Sequence, residues 1–79
     1  MKKAQMQERL KALLEDRRER LLQAVRKEER PTAMMWYGQI CGIADAMRTM
    51  ELVDYDEAQY IKDTAFALYR NKGAEDEPC

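Results

Sequence analysis

The sequence predicts a small all-α protein built from three helices. Apolar residues recur at steps of three and four along three segments, which is the spacing of amphipathic helices, and no strand is readable. Pro31 divides the first two segments, and an acidic turn divides the last two. With 79 residues, the chain is expected to form a single domain over residues 1–73, followed by a disordered acidic tail over residues 74–79.

The first helix is predicted over residues 3–29, because the residue before Pro31 is pushed out of the α conformation. Its apolar face collects Met6, Leu10, Leu13, Leu14, Leu21, Ala24 and Val25. At about 40 Å, this helix is longer than a compact domain of this size needs. Arg17 interrupts the apolar face, and three interpretations stay open: an anchor for an anionic ligand, a residue that sets helix register, or the end of the buried stripe.

The second helix, over residues 32–50, is predicted to be apolar on two sides. Trp36, Ile40, Ile43, Met47 and Met50 share the side that we assign to the core. Met34, Tyr37 and Cys41 form a second apolar patch about 120° away. A helix with two apolar sides needs two coverings, so the short chain is expected to assemble into an oligomeric bundle.

Gly38 and Gly42 lie one turn apart on this helix, with Ala46 and Thr49 nearby. Each glycine in a helix interior costs about 1 kcal/mol relative to alanine. Close approach of another helix would explain this cost, and a bound ligand is the alternative.

The third helix is predicted over residues 55–71, with a C-terminal stop at Gly73. Its start is a capping box: Asp54 accepts from backbone N–H groups, Glu57 reaches back, and Val53 and Ala58 form the hydrophobic staple. Because the connection is short, the second and third helices are expected to form an antiparallel hairpin. The long N-terminal helix then packs along this hairpin.

Composition argues against enzymatic chemistry. The chain contains no histidine or serine, and its two cysteines, Cys41 and Cys79, are far apart in the sequence. We therefore expect no catalytic residues, no metal site and no cofactor. We also expect no membrane segment or signal peptide, and a cytoplasmic protein with free thiols.

Charge is divided unevenly along the chain. Residues 2–30 carry ten Lys/Arg against six Asp/Glu, whereas residues 31–79 carry four against nine. Two interpretations stay open: the first helix packs on the rest of the chain or on a neighbouring subunit, or the two halves are solvated helix faces that differ in sign. Nucleic-acid binding is disfavoured, because the candidate recognition helix carries Asp56, Glu57 and Asp63 where phosphates would lie.

The segment GIADAMRTMELVDYDEAQYIKD, from Gly42 to Asp63, resembles the helix–acidic turn–helix hairpin of small phage and mobile-element proteins of Gram-positive bacteria. The resemblance covers roughly a quarter of the chain and transfers no functional residue. It implies a setting in which small non-enzymatic proteins block a host or defence component.

Two functional hypotheses follow. The first is a self-associating protein-interaction module with partner-binding residues Met34, Met35, Tyr37 and Cys41. The resemblance implies that such a module is a phage-type inhibitor of a host or defence protein. The second is a helical oligomer that binds a small anionic ligand, such as a signalling nucleotide, through Arg17, Arg18, Arg20 and Tyr37.

Overall fold

The computed structural model describes residues 2–76, and side chains within residues 2–70. Three helices make up this part of the chain: α1 (Lys3–Arg26), α2 (Arg30–Thr49) and α3 (Tyr55–Asp76), with no strand among the described residues. The all-α prediction is confirmed. The molecule measures 46 × 21 × 15 Å, and its radius of gyration of 13.5 Å exceeds the value of about 11.6 Å expected for a globular chain of this length. It is therefore an elongated bundle.

The end of α1 lies before the predicted residue 29, and the reason is a Schellman motif. Glu28 adopts a left-handed conformation with φ of 59°. Its N–H donates to the Val25 carbonyl at 3.0 Å, and the Glu29 N–H donates to the Ala24 carbonyl at 2.9 Å. These bonds close α1 without help from Pro31, which instead lies in the first turn of α2.

A second Schellman motif ends α2. Glu51 has φ of 60°, and its N–H donates to the Arg48 carbonyl at 3.0 Å. The Leu52 N–H donates to the Met47 carbonyl at 2.8 Å. Leu52 and Met47 are both buried, so the apolar contact typical of this motif is present.

At the start of α3, one of the two hydrogen bonds of the predicted capping box is present. Asp54 Oδ1 accepts from the Glu57 N–H at 2.8 Å, and the staple residues Val53 and Ala58 are both buried. Glu57 does not reach back as predicted. Its carboxylate lies 3.9 Å from Lys11 Nζ on α1, an exposed ion pair that joins the basic and acidic halves and stabilises the fold only slightly.

The end of α3 also differs from the prediction. The helix continues through the expected stop at Gly73 and includes the first residues of the predicted tail, up to Asp76. One glycine costs a helix about 1 kcal/mol, which is not enough to end it. Residues 77–79, the rest of that tail, lie outside the described residues.

The core lies around α2, which packs against both other helices. Leu21, Ile40 and Met47 are the largest fully buried side chains, and no charged or polar residue is buried among the described side chains. The Gln7 amide donates to the Leu52 carbonyl at 2.8 Å, which ties the start of α1 to the α2–α3 turn. In the described part of the chain, no helix is long and apolar enough to cross a membrane.

The buried stripe of α2 is rotated from the predicted one. Its fully buried residues are Ala33, Ile40, Ala44 and Met47. Trp36 and Ile43 are half-buried at one edge, and Met50 is 44% exposed. The two alanines allow close packing of neighbouring helices, so the most buried line of α2 runs through them rather than through its largest side chains.

Candidate protein-interaction surface

One face of α2 is covered by neither α1 nor α3. We call it the outer face of α2; it consists of Met35, Gly38, Gly42, Ala46 and Thr49, all exposed. At about 100° per residue these positions share one side, opposite the buried stripe. A solvent-facing helix surface normally carries charged residues, and 37% of this chain is charged. The absence of charge from this exposed stripe is therefore unusual for the chain.

The two glycines of the outer face have no explanation within a single chain. A Cβ atom built on Gly38 or Gly42 would meet nothing within 4 Å. The predicted close approach of a helix at these glycines is thus not made by α1 or α3. The space above them is open to a second molecule.

Large apolar side chains lie on or beside this face near both ends of α2. Met34 is 59% exposed and Met35 is 48% exposed near the start of α2, and Met50 follows its last turn. Methionine is flexible and adapts well to a partner surface. Two of the four predicted partner-binding residues, Met34 and Met35, therefore lie where a partner can contact them.

The other two predicted partner-binding residues lie against α3. The Tyr37 ring stacks on Tyr69, with centroids 5.4 Å apart, and lies 5.9 Å from Phe66. A hydrogen bond with the Cys41 thiol, together with partial burial, raises the pKa of the Tyr37 phenol. Both residues are half-buried. The sequence suggested that another molecule covers the second apolar patch, whereas α3 covers much of it.

A polar contact also joins α2 and α3. Lys62 on α3 pairs with Asp45 on α2. This hydrogen bond raises the pKa of the Lys62 ammonium group. Asp45 borders the outer face of α2, so its carboxylate is held at that edge.

Arg17, the residue that interrupts the apolar face of α1, packs on Trp36. Its guanidinium lies 5.5 Å from the ring centroid, and that of Arg20 lies 5.4 Å away. Arg17 Nε donates to Gln39 Oε1 at 2.9 Å, and both arginines bind the carboxylate of Asp16. The bond from Arg20, with a smaller contribution from Arg17, lowers the pKa of Asp16.

Arg18 points to a different side of α1. It lines a groove of about 200 Å³ between α1 and α3, with Leu14, Tyr60 and Ile61 among the other lining residues. Its Nε is buried without a hydrogen-bond partner, although its side chain as a whole is 39% exposed. Glu15 and Glu57 also line this groove, and their carboxylates disfavour an anionic ligand.

The four residues predicted to hold an anion are thus divided within the chain. Arg17 and Arg20 lie over Trp36, Arg18 lies in the α1–α3 groove, and Tyr37 packs on α3. Because the Asp16 carboxylate binds both Arg17 and Arg20 and offsets one of their two charges, the four residues do not form a free cationic cluster.

Sequence reasoning did not single out the exposed aromatic residues of α3. Tyr55 and Tyr60 are 64% and 68% exposed. Arg48 lies 5.8 Å from the Tyr55 ring, and Arg70 lies 5.5 Å from the Phe66 ring. Asp56, Glu57 and Asp63 lie at helical spacing from Tyr60, and these charged neighbours were the sequence signal that this side of α3 faces water.

Comparison with known proteins gives no match to a family model, a curated protein or a solved structure. Among the described residues, no group of three or more His, Cys, Asp or Glu side chains could hold a metal ion. A functional assignment therefore depends on the surfaces of this molecule.

Proposed function

We propose that this chain is a non-enzymatic protein-interaction module that self-associates through the outer face of α2. The observation that carries the proposal is the uncharged, exposed stripe through Gly38 and Gly42, where added Cβ atoms meet open space. The finer architecture belongs to the same proposal: α2 and α3 form an antiparallel hairpin. The contacts between Tyr37 and Tyr69 and between Asp45 and Lys62 support that arrangement.

The glycines of the stripe support a contact role for this face. Two glycines within α2 cost about 2 kcal/mol of helix stability relative to alanine. Neither glycine has a close neighbour within the chain. Contact with a partner would account for this cost, because a position without a side chain lets another backbone approach closely, and the exposed methionines can adapt to a partner surface.

The outer sides of the other helices carry more charge, although that of α3 also exposes two tyrosines. The exposed residues of α1 include Glu8, Arg9 and Glu19, and those of α3 include Asp56 and Asp63. Such charged surfaces are typical of helices that face water. This contrast supports α2 as the interaction surface.

The anion-binding hypothesis receives less support. It requires arginines with free donors at one location, whereas Arg17 and Arg20 share the Asp16 carboxylate. The inhibitor role implied by the resemblance to phage proteins stays a prediction.

The test is sedimentation velocity from about 10 µM to about 1 mM, a range that covers weak protein dimers. We expect the weight-average mass of the native chain to rise with concentration. Ala46→Glu, on the outer face, should abolish this rise. Ala67→Glu, at an exposed position on α3, is the matched control and should associate like the native chain.

Two results would overturn the proposal. One is a native chain that keeps the mass of a single copy throughout the concentration range. The other is equal behaviour of the two glutamate variants, which would mean that self-association does not use the outer face of α2. Circular dichroism of each variant confirms that its helices are retained.

A further inference from the structure

We infer that a second surface, at the seam between α2 and α3, binds an acidic peptide segment of another protein. The surface is built on five side chains that we call the arginine–aromatic ladder: Arg30 and Tyr37 of α2, and Phe66, Tyr69 and Arg70 of α3. The ladder does not include the outer face of α2, and its role does not depend on the proposed self-association.

Each member of the ladder contacts the next. The Arg30 guanidinium lies 4.9 Å from the centroid of the Tyr69 ring, and Tyr69 stacks on Tyr37 with centroids 5.4 Å apart. The Tyr37 and Phe66 centroids are 5.9 Å apart, and the Arg70 guanidinium lies 5.5 Å from the Phe66 centroid. The two helices thus place a cation at each end of a row of three rings.

The two terminal arginines differ from those of α1. Arg17, Arg18 and Arg20 each pair with a carboxylate. No ion pair among the described side chains includes Arg30 or Arg70, and both are exposed. A guanidinium on a ring face keeps its charge, and its N–H groups point sideways, where they can bind a carboxylate through two hydrogen bonds. The ladder therefore offers two cationic ends to an anionic partner.

Apolar side chains are exposed between these ends. Phe66 is 43% exposed, and Met34 is 59% exposed. Met34 lies four positions after Arg30 and three before Tyr37, so these three residues share one side of α2. Methionine adapts to a partner, and aromatic and arginine side chains are common among the residues that dominate binding energy. The middle of the surface therefore suits apolar side chains of the partner.

The length of the ladder fits a short peptide. The four contacts keep the two guanidiniums within about 22 Å of each other, a distance that seven residues of extended chain can span. A segment of this length with glutamates at both ends and apolar residues between them matches the ladder in charge and in order.

Carboxylates beside the ladder favour a peptide over nucleic acid. Asp63 is exposed one turn before Phe66, and its carboxylate accepts from the Gln59 amide at 3.0 Å. Glu29, which precedes Arg30, is also exposed. A nucleic acid carries a charge at every nucleotide and would meet these carboxylates. A peptide can place its charges only at the two arginines.

Fluorescence anisotropy tests the surface with the labelled peptide Glu-Glu-Leu-Phe-Leu-Glu-Glu. We expect a dissociation constant between about 10 µM and 1 mM, and weaker binding of the same peptide with glutamine at every glutamate. Arg30→Gln and Arg70→Gln should each weaken binding about 5-fold, the upper value for an exposed ion pair. The double variant should bind no more tightly than the native chain binds the glutamine peptide.

Two further variants complete the design. Arg9→Gln removes the same charge from an exposed position, near the end of α1 that Gln7 ties to the α2–α3 turn. This matched control lies far from the ladder and should bind like the native chain. Met34→Glu changes an exposed side chain outside the core and should weaken binding, because its carboxylate repels the glutamates of the peptide. Circular dichroism confirms that each variant keeps its helices.

Four results would overturn the inference. The first is no binding by the native chain at concentrations up to about 1 mM. The second is equal binding of the glutamate and glutamine peptides. The third is native-like binding by Met34→Glu, or a loss in Arg9→Gln as large as that in Arg30→Gln. The fourth is tighter binding of a single-stranded oligothymidylate of the same length, which would assign the surface to nucleic acid.

Discussion

Replacing Gly42 with alanine should change fold stability and self-association in opposite directions. In the single chain, the added methyl group meets no heavy atom within 4 Å, so no clash reduces the gain in helix propensity. That gain is about 1 kcal/mol. For a domain of this size, 1 kcal/mol corresponds to a rise in Tm of about 4–8 °C.

In the proposed dimer, the same methyl group lies on the outer face of α2, where the two copies are in contact. Two added groups, one from each copy, separate the helix backbones or force a shift. Overpacking of this kind costs about 1–3 kcal/mol, which weakens the dimer by roughly 5- to 150-fold. The substitution thus stabilises the single chain and destabilises the pair.

Two measurements separate these effects. Thermal unfolding followed by circular dichroism, at a concentration well below the dimer dissociation constant, reports on the single chain. Sedimentation at high concentration reports on the dimer. Ala67→Gly is the reverse control on α3: it should lower Tm by a similar amount and leave association unchanged.

The reasoning fails in two distinct ways. If Gly42→Ala leaves Tm unchanged or lowers it, the position is not open in the single chain. If Tm rises as expected while the dimer is equally tight or tighter, Gly42 does not lie in the contact between copies.

Three further predictions concern the fold. Glu51→Gly should stabilise the chain by about 0.5–1 kcal/mol, because glycine adopts the left-handed conformation observed there (φ of 60°) without the Cβ strain. Glu51→Ala, which keeps the Cβ atom, is the control. An unchanged urea midpoint for Glu51→Gly would contradict this account. Asp54→Ala should cost about 0.5–2 kcal/mol through loss of the bond to the Glu57 N–H, and urea unfolding that shows no loss would mean that this cap is not formed in solution. The raised pKa of Tyr37 means that the folded state keeps this proton at a higher pH than the unfolded state does. The corresponding stability is present below about pH 10 and decreases as pH rises through the folded-state pKa. The urea midpoint of Tyr37→Phe should therefore fall less steeply at alkaline pH than that of the native chain. An equally steep fall would refute the assignment.

Several local features were predictable because their causes are local. The spacing of Leu14 and Leu21 on α1 predicted their burial, and both are buried. The Asp54 cap and the Val53–Ala58 staple were predictable because each depends on residues within a single turn. The left-handed residues Glu28 and Glu51 were not predictable, since glutamate rarely occupies the position that glycine favours.

The candidate surface was predictable only in part. Gly38, Gly42, Met34 and Met35 were identifiable from their spacing and type, and they lie exposed. Tyr37 and Cys41 have the same pattern in the sequence, but α3 covers them in part. Periodicity shows which residues share a side of a helix, and it cannot show which neighbour covers that side.

The sequence by itself determined that the chain forms three helices, where α3 begins and which residues are apolar enough to form a core. Only the tertiary structure decided which arc of α2 is buried. That arc runs through Ala33 and Ala44 because two helices pack on α2 from adjacent sides, and the same packing leaves the stripe through Gly38 and Gly42 uncovered. The physical reason is that a helix buries the arc between its neighbours, and the directions of those neighbours depend on contacts between residues far apart in the sequence.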